Sequence, residues 1–266
     1  MGLVRTPEEI AAIQATLSAP LFTSAEMLSV EFFTRPETVR RVLPPPLAPA
    51  DEPLVTAMVG RWQSNCVGDY DGGAIYVAAT HDGIEAAYVL AMYMSTDHAI
   101  VFGRDVFGEP KKQSTSGLNR AGSRRSGWIH RGVRLIDIEA DLTTDNGAAE
   151  TSGANFNFKA LPASDGRGLE TDAILTLAEF DLSLTTNLSG TGTVRLGGTV
   201  HDPLDEIEVV EVQQATYIEG TLAARCRSIA RTPADEFLPF AYGRLDYWPE
   251  LNTSADRSDE ATVALR

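Results

Sequence analysis

The chain has 266 residues, 43% hydrophobic and 22% charged, enough for one large all-β domain or two small ones, with a core that needs no metal or disulfide staple. With 37 acidic against 22 basic residues the net charge is −15, a surface that repels phosphate backbones and argues against nucleic acid as a partner. Cys66 and Cys226 lie too far apart for a disulfide framework or a zinc site, and the four histidines are equally scattered. No apolar run reaches the roughly 18 residues of a membrane span and the N-terminus lacks a signal-peptide core, so the sequence reads as soluble and cytoplasmic.

Thr6-Pro7-Glu8-Glu9 reads as a capping box, opening a helix expected to turn Ile10, Ile13 and Leu17 inward and to end near Pro20. Residues 30–33 read as a strand. Residues 36–43 read as a short helix begun at Thr34 or Arg35 and stopped by Pro44-Pro45-Pro46. Residues 54–62 and 74–80 are strand-like, His81-Asp82-Gly83 supplies a hairpin turn, and 85–95 form the return strand. Residues 99–102 are strongly apolar and read as a strand.

Further on, Ile136, Ile138, Ala140 and Leu142 interleave with Asp137, Glu139 and Asp141. Phe156, Phe158 and Ala160 repeat this period of two, as do Phe180, Leu182 and Leu184. Such alternation marks antiparallel strands with one wet face, and Asp145-Asn146-Gly147 and Asp165-Gly166 separate the runs. Gly190-Thr191-Gly192 with Gly197-Gly198 has the composition of a nucleotide loop, but a strand and not a helix follows. Thr232-Pro233-Ala234-Asp235 repeats the capping chemistry before an aromatic-rich stretch, 237–248. With no repeat or long linker, 1–250 read as one domain and the polar, acidic 251–266 as a disordered tail.

The segment that carries chemistry is Gly103-Arg104-Asp105-Val106-Phe107-Gly108-Glu109-Pro110-Lys111-Lys112. Lysine is scarce, Lys159 being the only one outside the pair, and Pro110 fixes the backbone just before it. This run resembles the signature of acetoacetate decarboxylases: Gly-Arg-Glu, a few residues, an aromatic, then Pro-Lys-Lys. Val42-Leu43-Pro44-Pro45-Pro46-Leu47, Asp51-Glu52-Pro53-Leu54-Val55, Asp202-Pro203-Leu204 and the segment from Leu238-Pro239 to Tyr247 agree with the same family in order and spacing.

The resemblance implies a mainly β (α+β) fold, an antiparallel barrel-like sheet with a few short helices, assembled as a homo-oligomer. It implies that Lys111 forms a Schiff base with a small 2- or 3-oxo acid, that Lys112 is the neighbour that tunes it, and that no cofactor or metal is needed. The chemistry requires an uncharged amine, whereas a free lysine, with a pKa near about 10.4, is under about 0.1% neutral at pH 7. An apolar pocket and a nearby cation lower that value, the known property of this family's lysine. The protonated imine is then an electron sink, serving decarboxylation or, through an enamine, addition to an aldehyde co-substrate.

Some of the family's polar partners are not matched. Met58 stands in place of a glutamate after Pro-Leu-Val, Gly72 in place of a second glutamate, and Ala25 in place of an arginine. Glu109 stands where the family has an aromatic and is either the acid–base group or an ion-pair partner of Lys112. Arg61 is a candidate for a substrate carboxylate or a surface residue. Asp71 would need a bulge to turn inward, and Tyr93 either bonds a substrate oxygen or fills the core. Three functions follow: a decarboxylase-type carbon–carbon lyase, an aldolase-dehydratase condensing pyruvate with an aldehyde, or a non-catalytic small-ligand-binding protein on the same fold.

Overall fold

The computed structural model describes residues 2–244. The aromatic stretch beyond Arg244 and the tail 251–266 lie outside the described residues. Thr6 and Glu9 form the expected reciprocal capping box at the start of α1 (Pro7–Ser18). The inward orientation expected for this helix is corrected: Ile10 and Ile13 are exposed and Leu17 only part-buried. With alanine at 11, 12 and 15, the apolar stripe is too slight to bind the helix to a sheet.

Strand β1 (Leu21–Phe33) begins nine residues earlier than its apolar end implied. Buried Glu26 interrupts its pattern; it accepts from Tyr217 Oη at 2.9 Å and Arg120 Nε at 2.9 Å. Helix α2 (Pro36–Val42) follows, then β2 (Ala48–Pro49), β3 (Leu54–Ser64), β4 (Gly68–His81) and β5 (Ile84–Met94). The β4–β5 hairpin turns through Asp82 and Gly83, with φ of 48° and 76°, the left-handed pair a tight hairpin needs.

The strand expected at 99–102 is instead helix α3 (Asp97–Phe102), extended by one π-helical turn, Gly103–Phe107. The Thr96 side chain accepts from the Ala99 N–H and Asp97 sits in the first turn, helix-starting chemistry that outweighs the β-branched Ile100 and Val101. Then come β6 (Lys111–Gln113), β7 (Thr115–Ala121), β8 (Arg124–Arg131), β9 (Val133–Asp145), β10 (Ala149–Lys159), β11 (Ala173–Leu196), β12 (Glu211–Thr232) and α4 (Ala234–Ala241). Thr232 does not cap α4: it is the last residue of β12 and donates to the Pro45 carbonyl. The Asp172 carboxylate accepts from the Ala234 N–H in its stead.

Seven strands close a barrel in the order β10–β5–β4–β3–β1–β12–β11 and back to β10. The fold is mainly β and antiparallel, as the resemblance implies, with β10–β5 and β5–β6 parallel. The N-terminal half of β11 pairs with β10 and its C-terminal half with β9, so β9, β8 and β7 leave the barrel as a flap over β1, β3 and β4. Ile136, Ile138, Ala140 and Leu142 are buried as their alternation implies.

Strand alternation divides the apolar side chains into two cores. Leu28, Val30, Val55, Ile75, Phe156 and Phe158 pack outside the barrel against the flap, α2 and α4. Ala25, Met58, Trp62, Tyr70, Ala74, Val89, Ala178 and Ala224 point inside it, where Ala99 and Phe107 of the α3 segment pack on them. No described helix is long and apolar enough to cross a membrane.

Candidate active site

The lysine turn is built by exclusion of side chains. Gly103 has ordinary helical φ and ψ, yet a Cβ on it would lie 2.3 Å from Glu109 Oε2 and 2.4 Å from Lys111 Cδ. Glycine is needed there for space. Gly108, at φ 84°, ends the π-helical turn in the left-handed region and packs on the β10 backbone at Phe158–Lys159. Arg104 donates to the carbonyls of Lys111 and Arg244, and Arg244 to those of Gly108 and Phe158, which pins the turn at both ends.

Strand β6 then lies parallel to β5, with Lys111 beside Met92 and Lys112 beside Tyr93. Alternation sends the two lysines to opposite faces. Lys111 follows Met92 into the barrel and is 5% exposed. Its Nζ stands 2.7 Å from Glu109 Oε2 and 5.7 Å from the centre of the Tyr70 ring. Of the two roles open to Glu109, the ion pair is therefore with Lys111 and not with Lys112.

The surroundings are apolar. Met58 and Ala25 lie in this interior cluster, and at Gly72 a Cβ would meet the Tyr93 carbonyl oxygen at 2.1 Å. Burial and then the charge of Glu109 push the Tyr70 and Tyr76 phenols well up, so both stay protonated donors at neutral pH. Burial also raises the Cys226 thiol, with Glu109 adding to it. In so dry a site the Lys111–Glu109 contact is strong, and it offers the amine a base to which its proton can pass.

Lys112 follows Tyr93 to the outer core. Its Nζ is 2.8 Å from Asp202 Oδ1 and 3.0 Å from the His201 carbonyl oxygen. The same carboxylate accepts from Tyr93 Oη at 3.0 Å and Arg131 Nε at 3.1 Å. Three donors on one buried carboxylate tie residues 199–204 to β5, β6 and β8. Tyr93 is thus committed to Asp202 within the protein.

Arg61 and Asp71 are not brought to Lys111. They are paired across β3–β4 with no register shift near them, so the bulge Asp71 would need is not there. Arg61 donates to the Leu118 carbonyl and Asp71 accepts from Ser116, both outside the barrel. Both line a surface cleft of about 320 Å³ together with Trp62 and Tyr70, whose rings stack 5.2 Å apart. Trp62, Tyr70 and Tyr76 share a face with Met58 and Gly72, at steps of two along β3 and β4, a parity that could have singled them out from the sequence. Among the described residues, no cluster of His, Cys, Asp and Glu has the make-up of a metal site.

The profile of the family described as acetoacetate decarboxylase (ADC) matches residues 5–230. An acetoacetate decarboxylase of Burkholderia ambifaria is 26% identical over 208 residues, which cover 76% of this chain and 84% of that one. The crystal structure of acetoacetate decarboxylase from Legionella pneumophila superposes with a TM-score of 0.72 at 19% identity, covering 80% and 87% of the two chains. The enduracididine biosynthesis enzyme MppR, in complex with the condensation product of pyruvate and imidazole 4-carboxaldehyde, superposes at 0.67 with 17% identity, covering 79% and 88%.

Two substitutions test this geometry. Gly103→Ala is expected to leave the fold intact, at a cost of about 1–3 kcal/mol in urea unfolding, while displacing the Lys111–Glu109 pair; the check is loss of Lys111 labelling by a pyruvate–borohydride mixture. Asp202→Ala leaves Lys112 and Arg131 without their shared carboxylate and is expected to cost about 3–5 kcal/mol in the same unfolding experiment.

Proposed function

Since the chain belongs to the acetoacetate decarboxylase family, we propose that it is a carbon–carbon lyase that holds a small oxo acid as a Schiff base on Lys111. The observation that carries this reading is the Lys111–Glu109 pair, 2.7 Å apart inside an apolar barrel. Glu109 takes the proton of the ammonium group, and the free amine attacks the ketone carbon of the substrate. The protonated Glu109 returns its proton to the carbinolamine hydroxyl, which leaves as water and yields the imine.

From the protonated imine a 3-oxo acid loses carbon dioxide, and its electron pair enters the imine to give an enamine. A 2-oxo acid such as pyruvate loses a methyl proton to Glu109 and reaches an enamine of the same kind. The enamine carbon attacks an aldehyde, loss of water gives a conjugated product, and hydrolysis frees the lysine. This second course, an aldolase-dehydratase, is favoured by Ala25, Met58 and Gly72, which stand where the resemblance to decarboxylases calls for arginine and two glutamates. It is also in keeping with the condensation product held by MppR. Lys112, turned away and bound to Asp202, serves the site by fixing β6 and not by facing the amine. A homo-oligomer in a cytoplasmic setting belongs to the same proposal.

The test is a pair of product assays: carbon dioxide from acetoacetate, and absorbance of a conjugated product from pyruvate with an aromatic aldehyde. One of the two is expected to proceed, to vanish in Lys111→Ala, and to fall about 10²- to 10⁴-fold in Glu109→Gln. Turnover that survives Lys111→Ala refutes the imine course. A wild-type protein that turns over no oxo acid but still binds one assigns the barrel to ligand binding.

A further inference from the structure

Within the imine reading, on which this inference rests, we infer that Asn157 is a substrate-positioning residue, its carboxamide hydrogen-bonding the carboxylate of the oxo acid held by Lys111. Phe156 and Phe158 on either side belong to the outer core, so Asn157 between them points into the barrel. Its partner across β10–β11 is Thr176, and two residues on from Thr176 is Ala178 of the interior cluster. Thr176 Oγ1 donates to the Phe107 carbonyl at 2.5 Å, which places this part of the wall against the turn that carries Glu109.

Asn157 is 1% exposed, and among the described residues neither its Oδ1 nor its Nδ2 has a hydrogen-bond partner. A buried amide left unpaired works against folding, so its retention calls for a partner that arrives later. The oxo acid supplies one. Lys111 and Glu109 cancel each other's charge, and the interior position where the resemblance calls for an arginine is Ala25. A substrate carboxylate entering the barrel needs a donor, and the Asn157 amide is a neutral group that can donate to it.

The test combines intact-mass titration of borohydride-reduced adduct against pyruvate concentration with melting of the ligand-free protein, for wild type, Asn157→Leu and Asn157→Asp. Asn157→Leu, near in volume and without polar atoms, is expected to melt no lower than wild type. Its half-saturating pyruvate concentration is expected to rise about 10- to 100-fold, the loss of one hydrogen bond to a charged group, while the adduct still forms at saturation. Asn157→Asp, which sets a carboxylate against a carboxylate, is expected to weaken trapping further. Unchanged half-saturation in Asn157→Leu overturns the inference alone, as does a melting temperature well below wild type, which would show the amide bonded within the protein. No wild-type adduct at any pyruvate concentration overturns the imine reading, and the inference with it.

Discussion

Neighbouring residues of a β-strand face opposite ways, and in the three residues of β6 this constraint separates two lysines that the sequence sets side by side. Parallel pairing with β5 fixes which goes where: Lys111 with Met92 into the barrel, Lys112 with Tyr93 out of it. A shift of register by one residue would exchange them, leaving an unpaired lysine in each core. The surrounding structure resists that slip from both sides. Glu109 holds the inner ammonium, Asp202 the outer one, and Gly103 leaves room for the inner pair alone.

The division gives each lysine one task. Lys112 shares Asp202 with Arg131 and Tyr93, a fully used carboxylate that anchors the 199–204 loop. Among the described residues Lys111 has one carboxylate and an aromatic face, with methionine and alanine at the nearby positions that the resemblance assigns to charged residues. In such surroundings a buried charge is costly unless it is paired, and the carboxylate of Glu109 stands 2.7 Å from the amine. On the proposed imine reading, the carboxylate that pairs with the lysine is also the group that moves its proton. On the same reading, a single carboxylate beside the lysine favours the enamine's onward reaction with an aldehyde.

Much of this was legible in the sequence, and the failures have physical reasons. The capping box at Thr6, the Asp82-Gly83 turn and the alternation of 136–142 depend on neighbours in the chain and appear as read. The apolar run 99–102 reads as a strand because Ile100 and Val101 favour strands in isolation, whereas Thr96 and Asp97 set a helix start just ahead of them. The spacing of α1 predicts buried isoleucines, but a stripe so rich in alanine finds no groove. Asn157 was invisible for a different reason. Alternation in β10 separates phenylalanine from polar residues as on a strand with one wet face, yet closure of the barrel puts the polar face inside. A family signature marks Lys111, while its pairing with Glu109, across one proline, emerges only from the fold of the turn.

The most direct measurement is peptide mapping of the protein reduced with borohydride in the presence of pyruvate or acetoacetate. The chain has three lysines, Lys111, Lys112 and Lys159, so the adduct's position is decided by a few peptides. The account predicts a single modified lysine, Lys111, with Lys112 untouched beside it because its amine is turned out of the barrel and bound by Asp202. An adduct on Lys112 or Lys159, or equal labelling of the adjacent pair, would contradict it.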